Sequence, residues 1–119
     1  MADEISVSVM LRIENGSLSF KKALAGLTFD QSSAGMIHSV QNVGTSEEAI
    51  GLGDVSTPGW ALFINRDETN YVTIRDGSGG DDVVKLEAGE FALFRLATAT
   101  PYAIANTAAC DVEYVILED

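Results

Sequence analysis

One cysteine, one histidine and two prolines among 119 residues leave few of the parts from which small proteins build disulfide frameworks, metal centres or nucleophilic sites. A lone Cys110 closes no intrachain disulfide and points to synthesis in a reducing compartment. It lies in the strand-like run Cys110 to Leu117 with no histidine pattern beside it, and reads as a small buried hydrophobe or a strand-edge residue. His38 alternates with apolar neighbours in Met36-Ile37-His38-Ser39-Val40 and reads as a surface or hydrogen-bonded strand residue. A zinc site would have to gather His38, Cys110 and carboxylates from distant strands. Basic residues are also scarce, seven against eighteen acidic, for a formal net charge of −11. Such a field repels phosphate backbones, and Arg12, Lys21 and Lys22, near one hairpin, are too thin a patch to reverse it. They read as solvated strand charges or as a docking contact to an acidic partner. No run approaches the roughly 18 apolar residues of a membrane helix. The opening Met-Ala-Asp-Glu has neither the positive charge nor the apolar stretch of a signal peptide. The expectation is a protein made and folded as a soluble one, with no nucleic-acid partner and no membrane partner.

What is present is β-structure. The chain is 46% hydrophobic and 21% charged, ordinary values for a globular protein. Its length suits a single domain, 1–119. Ile5, Val7, Val9, Leu11 and Ile13 are separated by single, mostly polar residues, the period-two signature of a half-buried strand. Asn15-Gly16 follows, a dipeptide suited to a two-residue turn. Closed there, the hairpin would set Ile13 opposite Leu18 and Leu11 opposite Phe20, apolar faces in agreement. Further strands are expected at 27–31, 36–43, 48–52, 60–66, 71–76, 83–86, 91–97, 102–106 and 111–117. Gly44, Thr57-Pro58-Gly59, Asp67 to Asn70, Asp76 to Asp82, Ala88-Gly89 and Thr100-Pro101 punctuate them. Only Ser46 to Ala49 could make a helical turn, and a loop suits it equally. Strands at this spacing imply an all-β, single-domain β-sandwich, jelly-roll-like, with about 8–10 short strands closing on itself to remove its edges. Phe20, Trp60, Leu62, Ile64, Phe91, Leu93 and Ile116 are the residues expected to fill the space between sheets, with the choice between Phe91 and Phe94 open.

Catalytic material is thin. Carboxylates abound, but no pair stands out by context. Asp76-Gly77-Ser78-Gly79-Gly80-Asp81-Asp82 is the densest oxygen-rich segment, and aspartates on a glycine-rich loop are ligands of the kind Ca²⁺ takes. It lacks the alternating spacing and closing glutamate of an EF-hand, and reads first as a hairpin loop. Gly51-Leu52-Gly53-Asp54 is followed by no helix and does not match a dinucleotide fingerprint. No residue is therefore assigned as catalytic, cofactor-binding or metal-binding, no cofactor is expected, and the function is sought on surfaces.

The run from Gly53 through Gly59-Trp60-Ala61-Leu62-Phe63-Ile64-Asn65-Arg66-Asp67, with Thr69-Asn70-Tyr71-Val72 after it, resembles a pattern in small all-β virion proteins of tailed bacteriophages. The likeness continues through Val84-Lys85-Leu86-Glu87-Ala88-Gly89-Glu90-Phe91 and ends in Ala108 to Leu117. It covers roughly the C-terminal half and consists of turn and strand patterns. The resemblance implies a capsid decoration (cement) protein on the capsid exterior, not an enzyme, found in the virion after assembly in the host cytoplasm. It further implies the major capsid protein of the same phage as partner and a homo-oligomer, a trimer. A tail or fibre accessory protein, or a carbohydrate- or receptor-binding sandwich using the loops 44–59 and 76–82, is the alternative. The acidic charge suits a capsid exterior away from packaged DNA. The strand between Glu4 and Glu14 has the pattern needed either to complete the fold or to join a neighbour's sheet.

Overall fold

The structure is a computed structural model and describes residues 3–119. It is all-β: among the described residues there are ten strands and no helix. The chain divides into two compact units, Met1–Ser32 and Ser33–Asp119.

The first unit is a long hairpin of β1 (Ile5–Asn15) and β2 (Leu18–Phe29), which pair only with each other among the described residues. The strand expected at 27–31 is the end of β2. The turn falls one residue later than the sequence suggests. Asn15 pairs with Leu18, so Gly16 and Ser17 form the turn, and Gly16 alone takes a positive φ, +59°. A glycine at the first central position is the requirement of a type II′ turn, which leaves Asn15 in the strand. Ile13 consequently faces Phe20 instead of Leu18, and Leu11 faces Lys22 instead of Phe20. A two-residue shift keeps every side chain on its face, so the apolar side survives the correction. A bulge interrupts the ladder between Val7/Leu27 and Val9/Leu24. There Gly26, at φ +67°, donates its N–H to Ser8 Oγ over 3.1 Å.

The second unit supplies the sandwich. Its strands are β3 (Met36–Val43), β4 (Glu48–Ala49), β5 (Pro58–Asn65), β6 (Val72–Arg75), β7 (Asp82–Leu86), β8 (Phe91–Arg95), β9 (Tyr102–Ala105) and β10 (Cys110–Glu118). They pair antiparallel as nested hairpins: β3 with β10, β4 with β9, β5 with β8 and β6 with β7. Two further pairings, β10 with β5 and β9 with β6, roll this long hairpin into two four-stranded sheets. Their orders, β3-β10-β5-β8 and β4-β9-β6-β7, are those of an eight-stranded jelly roll. Ser46 to Ala49 makes no helical turn, and its end forms the short β4.

The core lies between these sheets. Val43, Ala61, Phe63, Val112, Tyr114 and Ile116 meet Val72, Ile74, Leu86, Ala103 and Ala105. Phe63 stacks on Tyr114 at 6.2 Å between centroids and packs on Phe94 at 5.9 Å. Of the side chains expected here, Ile116 is core. Phe20 stands exposed on the hairpin, and Trp60, Leu62, Ile64, Phe91 and Leu93 fall on the opposite face of their sheet. The reason is parity. In Trp60-Ala61-Leu62-Phe63-Ile64 both alternating sets are apolar, so the pattern does not say which set points inward. The structure buries Ala61, Phe63 and Asn65, and of the two phenylalanines of β8 it turns Phe94 inward.

Candidate functional site: two outward apolar surfaces

A sandwich sheet that faces water ordinarily alternates apolar inside with polar outside. The sheet β4-β9-β6-β7 is dressed largely in that way. Its outer side carries Thr73, Arg75, Lys85 and Tyr102, with Ile104 as an apolar member opposite Thr73. Arg75 holds Glu47 at 3.0 Å and Asp82 at 2.7 Å, and the Lys85 ammonium sits 4.3 Å above the Tyr71 ring.

The sheet β3-β10-β5-β8 is different. Register places Val40, Glu113, Ile64 and Phe91 in one outward row, and His38, Val115, Leu62 and Leu93 in the next. Met36, Leu117 and Trp60 extend the same side. Val40 and Phe91 are 57% and 62% exposed. Contiguous apolar surface of this kind marks sites of association on folded proteins. One polar cluster is set into it. Glu113 accepts from His38 Nε2 at 2.8 Å and from Arg66 at 2.6 Å. These partners, His38 first, hold its carboxyl below the usual glutamate range. At the sheet's end Arg95 reaches Asp119 at 2.8 Å, with its guanidinium 6.0 Å from the Trp60 ring centre.

The hairpin carries the second surface. Directly opposed residues share a face, so Val9, Leu11, Ile13, Leu18, Phe20 and Leu24 line one side together with Lys22. The other side presents Met10, Arg12, Glu14, Ser19 and Lys21. Leu11 is 64% exposed and Phe20 55%. A two-stranded hairpin is marginal in water by itself, and the apolar side chains of this one have no second sheet within their own unit to pack against.

The turns that carry the sequence motifs are structural. Asn65, fully buried at the end of β5, donates through Nδ2 to the carbonyls of Asn70, Leu86 and Glu87 at 2.9–3.2 Å. Its Oδ1 accepts the Asp67 N–H at 3.0 Å. Asp67 caps the N–H groups of Thr69 and Asn70, and those bonds hold its carboxyl below the ordinary range. Leu86-Glu87-Ala88-Gly89-Glu90 closes against the same strand end: Gly89 N–H bonds Asn65 O, and Asn65 N–H bonds Glu90 O. Sequence reading treated Asn65 as one letter of a turn motif. Its position two residues before an aspartate, at the end of an apolar run, was the available sign of a buried amide.

The other chemistry-bearing residues do not converge. In the 76–82 loop Asp76 accepts the Asp81 N–H, and Asp82 is taken by Arg75. Glu47 fastens that loop by accepting from Gly79 N and Ser78 Oγ, with the Gly79 bond the main cause of its lowered pKa. Glu118 does the same for the 44–59 segment by accepting Ser56 and Thr57 N–H groups. The Tyr114 hydroxyl donates to Gly51 O at 2.7 Å. Cys110 is buried, and burial pushes its thiol up, away from the reactive thiolate. Among the described residues no three His, Cys, Asp or Glu side chains gather as a metal site. A groove of about 530 Å³ runs beside the edge strands β7 and β8, lined by Ile74, Val83, Phe94 and Leu96 among others. The two arginines on its wall, Arg75 and Arg95, are engaged with carboxylates.

No family model, no curated protein and no solved structure matches this chain.

Proposed function

We propose that this protein is a non-catalytic assembly module that packs in symmetric copies. Its specific setting, on this reading, is the virion of a tailed phage, as a capsid decoration protein that binds the major capsid protein and stabilises the shell from outside. The observation that carries the reading is the outward side of β3-β10-β5-β8. A sheet face holding Val40, Leu62, Ile64, Phe91, Leu93 and Val115 is suited to burial against another protein.

Three further observations support it. The apolar side of the hairpin offers a second association surface on the same chain. The jelly roll is an architecture used by viral capsid and lectin domains, though the fold by itself does not choose a function. The net charge of −11 keeps unassembled copies soluble and disfavours contact with packaged DNA.

The test has two parts. Light scattering of the purified protein is expected to give a closed oligomer, a trimer on this reading. Incubation with capsids lacking the protein is expected to load many copies per particle and raise the temperature at which the shell opens. A monomer that ignores capsids overturns the proposal. Retention on glycans with no capsid binding would move the function to a carbohydrate-binding module.

A further inference from the structure

The two apolar surfaces differ in charge, and that difference says what each is suited to meet. Residues 33–119 hold fourteen of the eighteen acidic residues and four of the seven basic ones, a net of −10. Between Ile5 and Phe29 the hairpin has one acid, Glu14, against Arg12, Lys21 and Lys22, a net of +2. Two sandwich units therefore repel each other, while the positive charge of the first unit is confined to its strands, since Asp3, Glu4 and Asp30 bring residues 1–32 to a net of −1. The strands are the part of the chain with charge complementary to the sandwich unit of another copy.

Lys22 makes the same choice locally. It is the charged side chain on the apolar side of the hairpin, opposite Leu11. If two hairpins met apolar side to apolar side, both lysines would enter one contact with no carboxylate on that side to receive them. The outward face of β3-β10-β5-β8 instead carries Asp111, bonded to the neutral Asn42 amide, on the same side of β10 as Glu113, which is already paired with His38 and Arg66.

Resting on the reading of the chain as an assembly module, we infer that the hairpin β1–β2 is an arm that docks in trans. Its apolar side packs on the outward face of the sheet β3-β10-β5-β8 of a second copy of this chain.

The areas favour exchange over a single contact. Eleven residues of strand make a face about 35 Å long, and two strands make it about 10 Å wide. Laid on a sheet, such a face removes on the order of 700 Å² from the two partners together, short of the roughly 1,200 Å² at which stable interfaces begin. A copy that gives an arm and receives one takes part in about 1,400 Å² of contact, inside that range. Giving and receiving by every copy closes into a symmetric dimer or ring.

Complementation between two full-length variants tests this. The arm variant carries Leu11→Asp and Phe20→Asp, and the sandwich variant carries Val40→Asp and Phe91→Asp, all four at exposed positions. Emission and melting of the single tryptophan, Trp60, confirm that the sandwich of each remains folded. The inference expects an oligomeric wild type, two monomeric variants, and on mixing at high concentration a one-to-one heterodimer weaker than the wild-type assembly, since the mixture restores one arm-on-face contact where exchange between wild-type copies makes two. A third variant, Lys22→Glu, is expected to weaken wild-type association at least tenfold. A monomeric wild type at every concentration overturns this inference, and the assembly reading falls with it when that monomer also ignores capsids. A sandwich variant that stays oligomeric while the arm variant dissociates shows arms meeting arms. Two variants that both stay oligomeric, two monomers that do not complement, or an unchanged affinity for Lys22→Glu also overturn arm exchange, and these outcomes leave the assembly reading in place.

Discussion

Replacing Asn65 with aspartate changes one NH₂ group into an oxygen, with almost no change of volume, at the point where two turns of the sandwich, the one after β5 and the one between β7 and β8, are tied together. The Asp67 N–H keeps an acceptor. The carbonyls of Asn70, Leu86 and Glu87 lose their shared donor and face an oxygen instead. A buried acceptor left without its partner costs about 1 to 3 kcal/mol, and three carbonyls around one carboxyl bring the expected loss to about 3 to 5 kcal/mol at neutral pH. Against a total of about 5 to 15 kcal/mol for an ordinary domain this is a large fraction. At roughly 4 °C or more per kcal/mol for a unit of this size, it lowers Tm by at least about 12 °C. The assay is urea unfolding followed through Trp60 emission, with the m-value checked for constancy. The pH dependence sharpens it. Burial and facing carbonyls raise the folded-state pKa of the new carboxyl, so its penalty is smallest at or below the ordinary aspartate value of about 3.9. The penalty grows as pH rises from there toward the folded value. A cost below about 1 kcal/mol, well under the loss expected for even a few unpaired acceptors, or a difference from wild type that ignores pH, would refute the role given to Asn65.

Neighbouring positions on β5 should respond in opposite ways. Phe63→Ala is expected to cost about 3 to 5 kcal/mol by emptying the core, whereas Leu62→Ala should cost less than half as much and weaken self-association; equal costs in the monomer would contradict the facing assigned to them. Gly16→Val should cost the hairpin about 1 to 2 kcal/mol through its positive φ alone, because a side chain there meets nothing. Since the hairpin is a separate unit, amide exchange in β1 and β2 should rise while the melting of Trp60 stays unchanged. Glu47, Asp67, Glu113 and Glu118 all have pKa values lowered by their hydrogen bonds. Their contribution is complete above the ordinary carboxylate range and is lost as pH falls through the folded values. Acid titration of Tm should therefore show a decline that begins within that range and continues below it, and a flat profile down to pH 2 would contradict those bonds.

Strand positions were legible in the sequence because turn residues bracket them. Pro58 to Asn65, Val72 to Arg75 and Cys110 to Glu118 lie within a residue or two of their expected bounds. Facing was not legible. Period two assigns a side only when one alternating set is polar, and β5 is apolar on both. That double apolarity was itself the signal of the outward surface, since strands buried on both faces read as continuous hydrophobic runs. The hairpin turn slipped by one residue because glycine satisfies a type II′ turn by itself, and Asn15 was not needed for a positive φ. The division of the chain into two units left no trace in composition, because the alternation of β1 is the same period-two pattern that a sandwich strand has.

The central claim is that the outward face of β3-β10-β5-β8 is an association surface. Sedimentation equilibrium of the full-length protein over a wide concentration range, repeated with Val40→Asp and Phe91→Asp together, tests it most directly. A wild type that forms a closed oligomer and a folded variant that sediments as a monomer are the predicted results. An oligomer of unchanged mass and affinity in the variant, or a wild type that remains monomeric throughout, would contradict it.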